Sequence, residues 1–443
     1  MILPSVNNTG LRRYAKPRVL VMLALGFSSG MPFLLTANTF GYWLRDDGVS
    51  LSVIAFISWV GIVYSIKFLW APFLDRTIPP VAGRLGHRRA WMLVSQVVIA
   101  AGLFSMAGFQ VRQGLPLLVG LAFVVAFASA TQDIVIDAWR IEIADSGEEL
   151  ALLTSAHQFG YRVAFLGTDA LILIAAEYFG WPLSYAVCAA LMTIGIGATL
   201  LATEPAKADA VIEQKAHDRP FGTARGLGDA IAGPFLVFFR SYGWIAVPVL
   251  MAISLYRLPD FVRGPMSNPF YADIGLSKAY VGEVRGTIGV AMTFLGIAAG
   301  GAFALRFGYI KALIAGGVLQ AIAIASFAML AHRHPGGLIF ATIMSLDNFS
   351  TNFAGVALVS YMSSLTALGY TATQYALLSS MYALPGKITK GLSGLFVQHL
   401  AVSYGLMGAY KIFFIGAGAV GIPAILLFMA LSARQPAARG VGS

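Results

Sequence analysis

Gln132, Asp133, Asp137 and Arg140 fall in residues 115–140, a stretch otherwise dominated by apolar side chains. Asp133 and Asp137 are four residues apart and Arg140 follows Asp137 by three, so on a helix the three charges share one face. Carboxylates placed this way can carry protons, because a desolvated carboxylate is held less firmly in its charged form. Asp133 is the better carrier. Asp137 has Arg140 one turn away, and these two are expected to form a structural ion pair near the helix end. Further charges interrupt other apolar stretches: Lys67 three residues after Tyr64, Arg162 beside Tyr161, Lys387, and the run Arg257, Asp260, Arg263, followed by Ser267 and Asn268. Asp347, Asn348, Thr351 and Asn352 make two i, i+4 pairs on one polar stripe.

A charge at the bilayer centre costs at least about 2.5 to 3.5 kcal/mol, so each of these needs a partner or a wet cavity. Arg162 and Lys387 suit an anionic cargo such as a peptide carboxylate; the alternative is an intramembrane pair with Asp169 or Asp347. Asp260 and Asp347 are the other proton-coupling candidates, although the alternative for Asp260 is only to neutralise its two arginines. Pro259 and Pro265 are expected to break the helix there and free backbone groups toward a cavity. Asn38, Asn268, Tyr64 and Lys67 are candidates for lining the path, and the alternative for Lys67 is to snorkel to the membrane surface. Asn348 and Asn352 read either as a sugar-binding pair or as interhelix hydrogen-bond glue.

The elements that carry these residues follow from composition. In a chain of 443 residues, 58% are hydrophobic and only 11% charged, too little charge for a water-facing surface. The one cysteine, Cys188, excludes a disulfide framework, a thiolate zinc site and an iron–sulfur cluster within one chain. Crossing a core of about 30 Å takes about 20 apolar residues. Twelve such stretches are present, near 19–43, 51–72, 90–109, 115–140, 150–175, 181–203, 243–265, 279–303, 308–331, 336–362, 372–399 and 405–432. The fold class is therefore an all-α polytopic membrane protein with twelve transmembrane helices. It divides into an N-terminal six-helix bundle, 1–203, a connecting cytoplasmic loop, 204–240, and a C-terminal six-helix bundle with a short tail, 241–443. With the N-terminus inside, eighteen Lys and Arg fall on the cytoplasmic side against four outside, namely Arg45, Arg112, Lys278 and Arg333. Both termini are then cytoplasmic. The first apolar run is too long for a cleaved signal peptide and is expected to be retained.

The two halves repeat. Ala151-Leu-Leu-Thr-Ser matches Ala376-Leu-Leu-Ser-Ser at an offset of 225, which places Arg162 on Lys387, Gly180 on Gly405 and Tyr185 on Tyr410. Asn38 and Asp47 likewise correspond to Asn268 and Asp273. A parallel duplication of this kind puts the substrate site near the midplane, where the halves meet.

Several motifs resemble one family. Gly26-Phe-Ser-Ser-Gly-Met-Pro32, Lys67-Phe-Leu-Trp-Ala-Pro-Phe-Leu-Asp-Arg76 and Gly83-Arg-Leu-Gly-His-Arg-Arg-Ala-Trp91 are similar to the muropeptide permease (AmpG) family of the major facilitator superfamily. Gln132-Asp-Ile-Val-Ile-Asp-Ala-Trp139 and Ala372-Thr-Gln-Tyr375 extend the likeness. The resemblance implies two pseudo-symmetric bundles and proton-driven import of N-acetylglucosaminyl-1,6-anhydromuramoyl peptides across a bacterial inner membrane for wall recycling. Similar carriers give the alternative cargo, a siderophore or another polar anionic conjugate such as an acyl-CoA. Asp75 and Arg76 with Arg84, Arg88 and Arg89 match the superfamily's gate loop, and Asp137 and Arg140 are grouped with them; a basic loop that only sets topology is the alternative. The expected partners are a small amphiphilic or anionic molecule, protons and the lipid bilayer, without nucleic acid, on a monomer. No enzyme activity, cofactor or metal is expected. Gly386-Lys387 lacks the rest of a phosphate loop, and the six histidines have no paired metal spacing.

Overall fold

A computed structural model describes residues 16–49, 54, 58–79, 85–109, 111–206, 210–211, 214, 223–331, 336–390 and 392–434. Arg84, among the expected gate residues, lies outside them, as does the side chain of Asp169. Each of the twelve expected spans coincides with helix among the described residues. Span one is α1 (Pro17–Leu35) followed by α2 (Asn38–Asp46). Span two is tighter than an α-helix: 3-10 turns cover Ser58–Ser65 and Lys67–Leu69 before the short α3 (Ala71–Leu74). Its Ile66 N–H is shared between the Ile62 and Val63 carbonyls, both at 3.3 Å, a three-centre bond between the two helix types. Spans three and four are α4 (His87–Ala107) and α5 (Val111–Ile143). Span five is α6 (Gly147–Leu166) with the π-turn Gly167–Leu171, and α7 (Ile172–Leu201) completes spans five and six. Ser146 caps α6 by accepting from the Glu149 N–H.

The segment between the halves is not all loop, as 204–240 was expected to be. It contains α8 (Ala224–Tyr242). Span seven then comprises α9 (Ala246–Tyr256) and α10 (Leu258–Asp273). The break between them falls at Arg257, because Pro259 can occupy only the first turn of a new helix without losing a backbone bond. Pro265 was also expected to interrupt, yet α10 runs through it and through Pro269. The rest of the second half is α11 (Lys278–Val284), the π-turn Arg285–Gly289, α12 (Val290–Phe307), α13 (Tyr309–Ser326), α14 (Gly337–Ser364), α15 (Thr371–Lys390), α16 (Leu392–Ala419) and α17 (Ile422–Arg434).

Gly180 and Gly405, paired by the repeat, both break long helices with nearly the same backbone, φ 78°, ψ 161° and φ 68°, ψ 165°. A residue with a side chain is strained there, so glycine at both positions is what lets spans five and six, and eleven and twelve, turn without a long loop. The repeat also corrects one match. Val49 N–H bonds to the Leu44 carbonyl as Leu276 N–H does to Tyr271, closing spans one and seven with the same cap. That register pairs Asp46, not Asp47, with Asp273, and Asn38 is not the counterpart of Asn268. Both aspartates accept a side-chain hydrogen bond, Asp46 from Trp181 at 2.8 Å and Asp273 from Tyr410 at 2.6 Å, but the donors are not repeat partners, since Tyr185, the match of Tyr410, donates to the Leu35 carbonyl.

Two compact units result, residues 1–237 with 366–377, and residues 238–365 with 378–443. In the first, α1 lies so close to α6 that a Cβ on Gly160 would meet the Leu23 carbonyl and one on Gly26 would meet the backbone of His157. In the second, Gly296 and Gly300 bring α12 onto the backbone of Phe349 and Phe353 in α14, the packing role expected of small residues four apart. Aromatic clusters fill the remainder: Trp43 with Tyr185 in the first unit, and Phe270, Tyr410 and Phe414 in the second.

Candidate transport site

In the first unit the charges of α5 collect a partner from span two. Asp137 bonds to Arg140 at 3.1 Å, the expected pair, and also faces the Lys67 ammonium at 4.0 Å. Lys67 is buried and does not snorkel to the surface. Arg140 is fully buried, with its guanidinium 5.4 Å from the Tyr375 ring centroid. Asp133 differs. It accepts from the Ser29 hydroxyl of α1 and, among the described residues, has no cation within 4.0 Å. Gln132 donates to Ser28 at 3.0 Å, and the Tyr64 ring meets Phe33 edge-on at 5.0 Å. His157, one turn before Tyr161 on α6, is buried in the field of Arg140 and Lys67 and was not singled out from sequence. Tyr161 packs on Phe165 at 4.7 Å, and the Arg162 guanidinium lies 5.9 Å from that same ring. Asn38 is exposed at the start of α2.

The second unit divides the polar stripe of α14 in two. Asp347 forms an ion pair with Arg263 at 3.1 Å, and Asp260 pairs with Arg257 at 3.1 Å while accepting from Gln320 at 2.6 Å. Asp260 therefore bonds to one of its two flanking arginines, and the other reaches across to α14. Arg257 also donates to the Thr351 carbonyl at 2.9 Å. Asn348 and Asn352 turn instead toward Thr293 of α12, at 3.4 and 3.3 Å, which is the interhelix role weighed for them. Asn268 accepts from Arg285 at 2.8 Å, a partner that sequence spacing did not indicate. Lys387 is exposed on α15, next to Gly386, where a Cβ would strike Phe261.

Of the gate residues, Asp75 and Arg88 form a buried network where span two ends and span three begins. Arg88 donates through Nε and Nη2 to both oxygens of Glu142, at 2.8 and 2.6 Å, and through Nη2 to Asp75 at 2.8 Å. Asp75 in turn accepts from the N–H groups of Ala372 and Thr373, at 3.2 and 2.9 Å, and from the Thr373 hydroxyl at 2.7 Å. A carboxylate thus caps the N-terminus of α15, where the free amides and the helix dipole favour negative charge. Burial pushes the Asp75 carboxyl up, but the charge of Arg88 and the hydrogen bonds from Thr373 and Arg88 outweigh it and hold the group below the ordinary carboxylate range. Its stabilisation is accordingly complete above the unfolded value of 3.8 and is lost only as pH falls through the lowered native value. Asp75→Asn is expected to lower stability by about 1 to 3 kcal/mol, the range for a hydrogen bond to a charged group, since Arg88 keeps Glu142. Thermal unfolding in detergent at pH 5 and pH 8 should give the same loss, because Asp75 is ionised at both.

Arg89 donates to the carbonyls of Thr199 and Leu200, at 3.0 and 2.7 Å, and so caps the C-terminus of α7. Glu204 closes the adjacent corner by accepting from the Arg89 N–H at 3.1 Å and from that of Arg88. Only glycine fits at position 86, where φ is 98° and a Cβ would collide with the Glu204 side chain. Arg76 pairs with Asp229 of α8 and lies 5.3 Å from the Tyr370 ring centroid. Glu142, Glu204 and Asp229 were not indicated by spacing, because each meets its arginine across more than 50 residues. An apolar cavity of about 430 Å³ lies among α1, α6 and α7, with Cys188 on its wall, and none of these charged residues lines it.

The family model for the Major Facilitator Superfamily matches residues 19–386. The chain is 31% identical over 423 residues to the anhydromuropeptide permease of Escherichia coli K12, covering 95% of this chain and 80% of that one. It is 29% identical over 417 residues to a putative transporter, AmpG 4, of Rickettsia felis, covering 94% and 96%. Two solved structures share the fold. The proton:xylose symporter XylE bound to 6-bromo-6-deoxy-D-glucose superposes with a TM-score of 0.66 at 14% identity, covering 95% and 96%. A bacterial homologue of the iron transporter ferroportin in its outward-facing state gives 0.64 at 15%, covering 94% and 99%. Taken with the twelve spans, these likenesses place the chain in the AmpG family of the major facilitator superfamily, as a multi-pass membrane transporter and not an enzyme.

Proposed function

We propose that this transporter is a proton-coupled importer of anhydromuropeptides, working as a monomer in a bacterial inner membrane with both termini in the cytoplasm. The cargo class comes from the name of the Escherichia coli relative and from two cations, Arg162 and Lys387, on helices that apolar length alone would leave uncharged. In the cycle we propose, the bundles 1–203 and 241–443 rock about a midplane site where Arg162 and Lys387 meet the peptide carboxylates. Tyr161, Gln132 and Tyr64 are further substrate-binding candidates.

The observation that carries the coupling is the contrast among Asp133, Asp137, Asp260 and Asp347, the intramembrane aspartates whose side chains are described. Asp137, Asp260 and Asp347 each face a cation, whereas Asp133 accepts from a serine hydroxyl. Protonating Asp133 leaves no cation without its counter-ion, so a proton can load and leave there without breaking an ion pair. The Asp75, Arg76 and Arg88 network serves as the cytoplasmic gate, releasing α15 once per cycle.

Uptake of labelled anhydromuropeptide into proteoliposomes tests the cargo. Unlabelled muropeptide should compete, and ferric siderophores and acyl-CoA should not. Absence of saturable muropeptide uptake, with uptake of a labelled ferric siderophore by the same vesicles, would replace this cargo with the siderophore.

A further inference from the structure

Arg285 opens the π-turn of span eight, within Tyr280–Phe307, an apolar run of 28 residues. Such turns inside helices recur at functional sites, because the extra residue re-aims the side chains around it. Val281 and Val284 bury one side of α11 in the aromatic core of the second unit, whereas Gly282, Arg285 and Gly286 are exposed on the other. A Cβ on Gly282 or on Gly286 would meet nothing within 4 Å, so the face that carries Arg285 is open on both sides of it.

The guanidinium is held in place by neutral groups. Its Nη2 donates to the Asn268 side-chain oxygen at 2.8 Å, and its carbon lies 5.2 Å from the ring centroid of Tyr271, a buried residue. Asn268 stands about 7.5 Å before the end of α10 at helical rise, so the cation stays within the span and does not reach out to its end. The surrounding charges do not balance. Arg257 pairs with Asp260 and Arg263 with Asp347, each at 3.1 Å, which matches those two carboxylates one to one. Arg285 lies in the field of Asp347, yet among the described residues no carboxylate is within 4.0 Å of it. Asn268 and Tyr271 orient this third arginine and leave its charge unmatched. An arginine facing hydrocarbon at that depth is costly, and a guanidinium fork suits a carboxylate.

We infer, on the reading of the cargo as an anionic peptide conjugate, that Arg285 is an anion-binding residue of the second bundle that takes a carboxylate of the cargo, with Asn268 and Tyr271 as its positioning residues.

Binding of labelled anhydromuropeptide to the full chain in detergent tests this. Arg285→Gln should weaken it roughly five- to 150-fold, the range for a charge-assisted hydrogen bond. Arg285→Lys should lose less, because it keeps the charge without the fork. Asn268→Leu should also weaken it, while an analogue with amidated carboxylates binds the parent, Arg285→Gln and Asn268→Leu alike. Equal affinity of Arg285→Gln and the parent for anhydromuropeptide, or the same loss for the amidated analogue, would overturn the inference. A second measurement needs no cargo. With Gly282→Cys or Gly286→Cys in a Cys188→Ala background, Arg285→Gln should slow an anionic methanethiosulfonate several-fold relative to a cationic one at low ionic strength. An unchanged ratio, or no reaction with either reagent at both positions, would overturn the inference as well. If the parent binds no anhydromuropeptide and the ratio still falls on Arg285→Gln, the cargo reading alone fails and Arg285 stands as the anion site.

Discussion

Asp133→Asn is expected to abolish gradient-driven accumulation of cargo while leaving exchange of internal for external cargo close to the parent rate. Asparagine keeps an acceptor for the Ser29 hydroxyl and removes only the proton site. Exchange needs the site to load and reorient, not to bind and release a proton. The expected loss in accumulation is therefore complete, limited only by equilibration of cargo across the membrane. The comparison variant is Asp137→Asn, which strips counter-charge from Lys67 and Arg140 together. Breaking a buried pair from one side costs about 3 to 5 kcal/mol, so that variant should lose stability as well as both transport modes. Measured with the same vesicles, normal pH-dependent accumulation by Asp133→Asn would move the coupling role to Asp260 or Asp347.

The second large effect is on affinity. Arg162→Gln and Lys387→Gln should each weaken binding of an anionic muropeptide by about 1 to 3 kcal/mol, roughly five- to 150-fold, the range for a charge-assisted hydrogen bond. A cargo analogue with its peptide carboxylates amidated provides the control. It should bind the parent more weakly than the natural cargo and should be nearly indifferent to either substitution. Equal losses for the anionic and neutral forms would mark both cations as structural, since a direct contact must discriminate between them.

Span positions were readable because apolar length is a property of local composition. The exceptions are instructive. Span two contains Lys67, and its 3-10 winding has no compositional mark. The helix of the connector, α8, is visible only once Tyr370 and Gln374 are placed beside it. The repeat was legible where it fixes backbone, at Gly180 and Gly405, and misleading where it rested on side-chain type, at Asn38 and Asn268.

Partners of the charges were the least legible part. Spacing reveals only neighbours on one helix, which is why the Asp137 and Arg140 pair was foreseen. Arg263 is three residues from Asp260 yet binds Asp347, because the rotation of α10 against α14 decides which carboxylate it meets. Arg88 likewise takes Glu142 and Asp75 from two other elements, and no single-helix pattern encodes that choice. His157 carried no sequence signal beyond lying one turn before Tyr161 on the face that α6 buries.

In the cycle proposed above, cargo and proton move together through Asp133. Proteoliposomes with no imposed gradient, loaded with a pH-sensitive dye, measure this directly when anhydromuropeptide is added outside. Internal acidification is expected to follow cargo entry, to saturate with cargo concentration and to be absent in Asp133→Asn. Entry of labelled cargo at the parent rate with no change in internal pH, under conditions where a protonophore control shows that the dye responds, would contradict it.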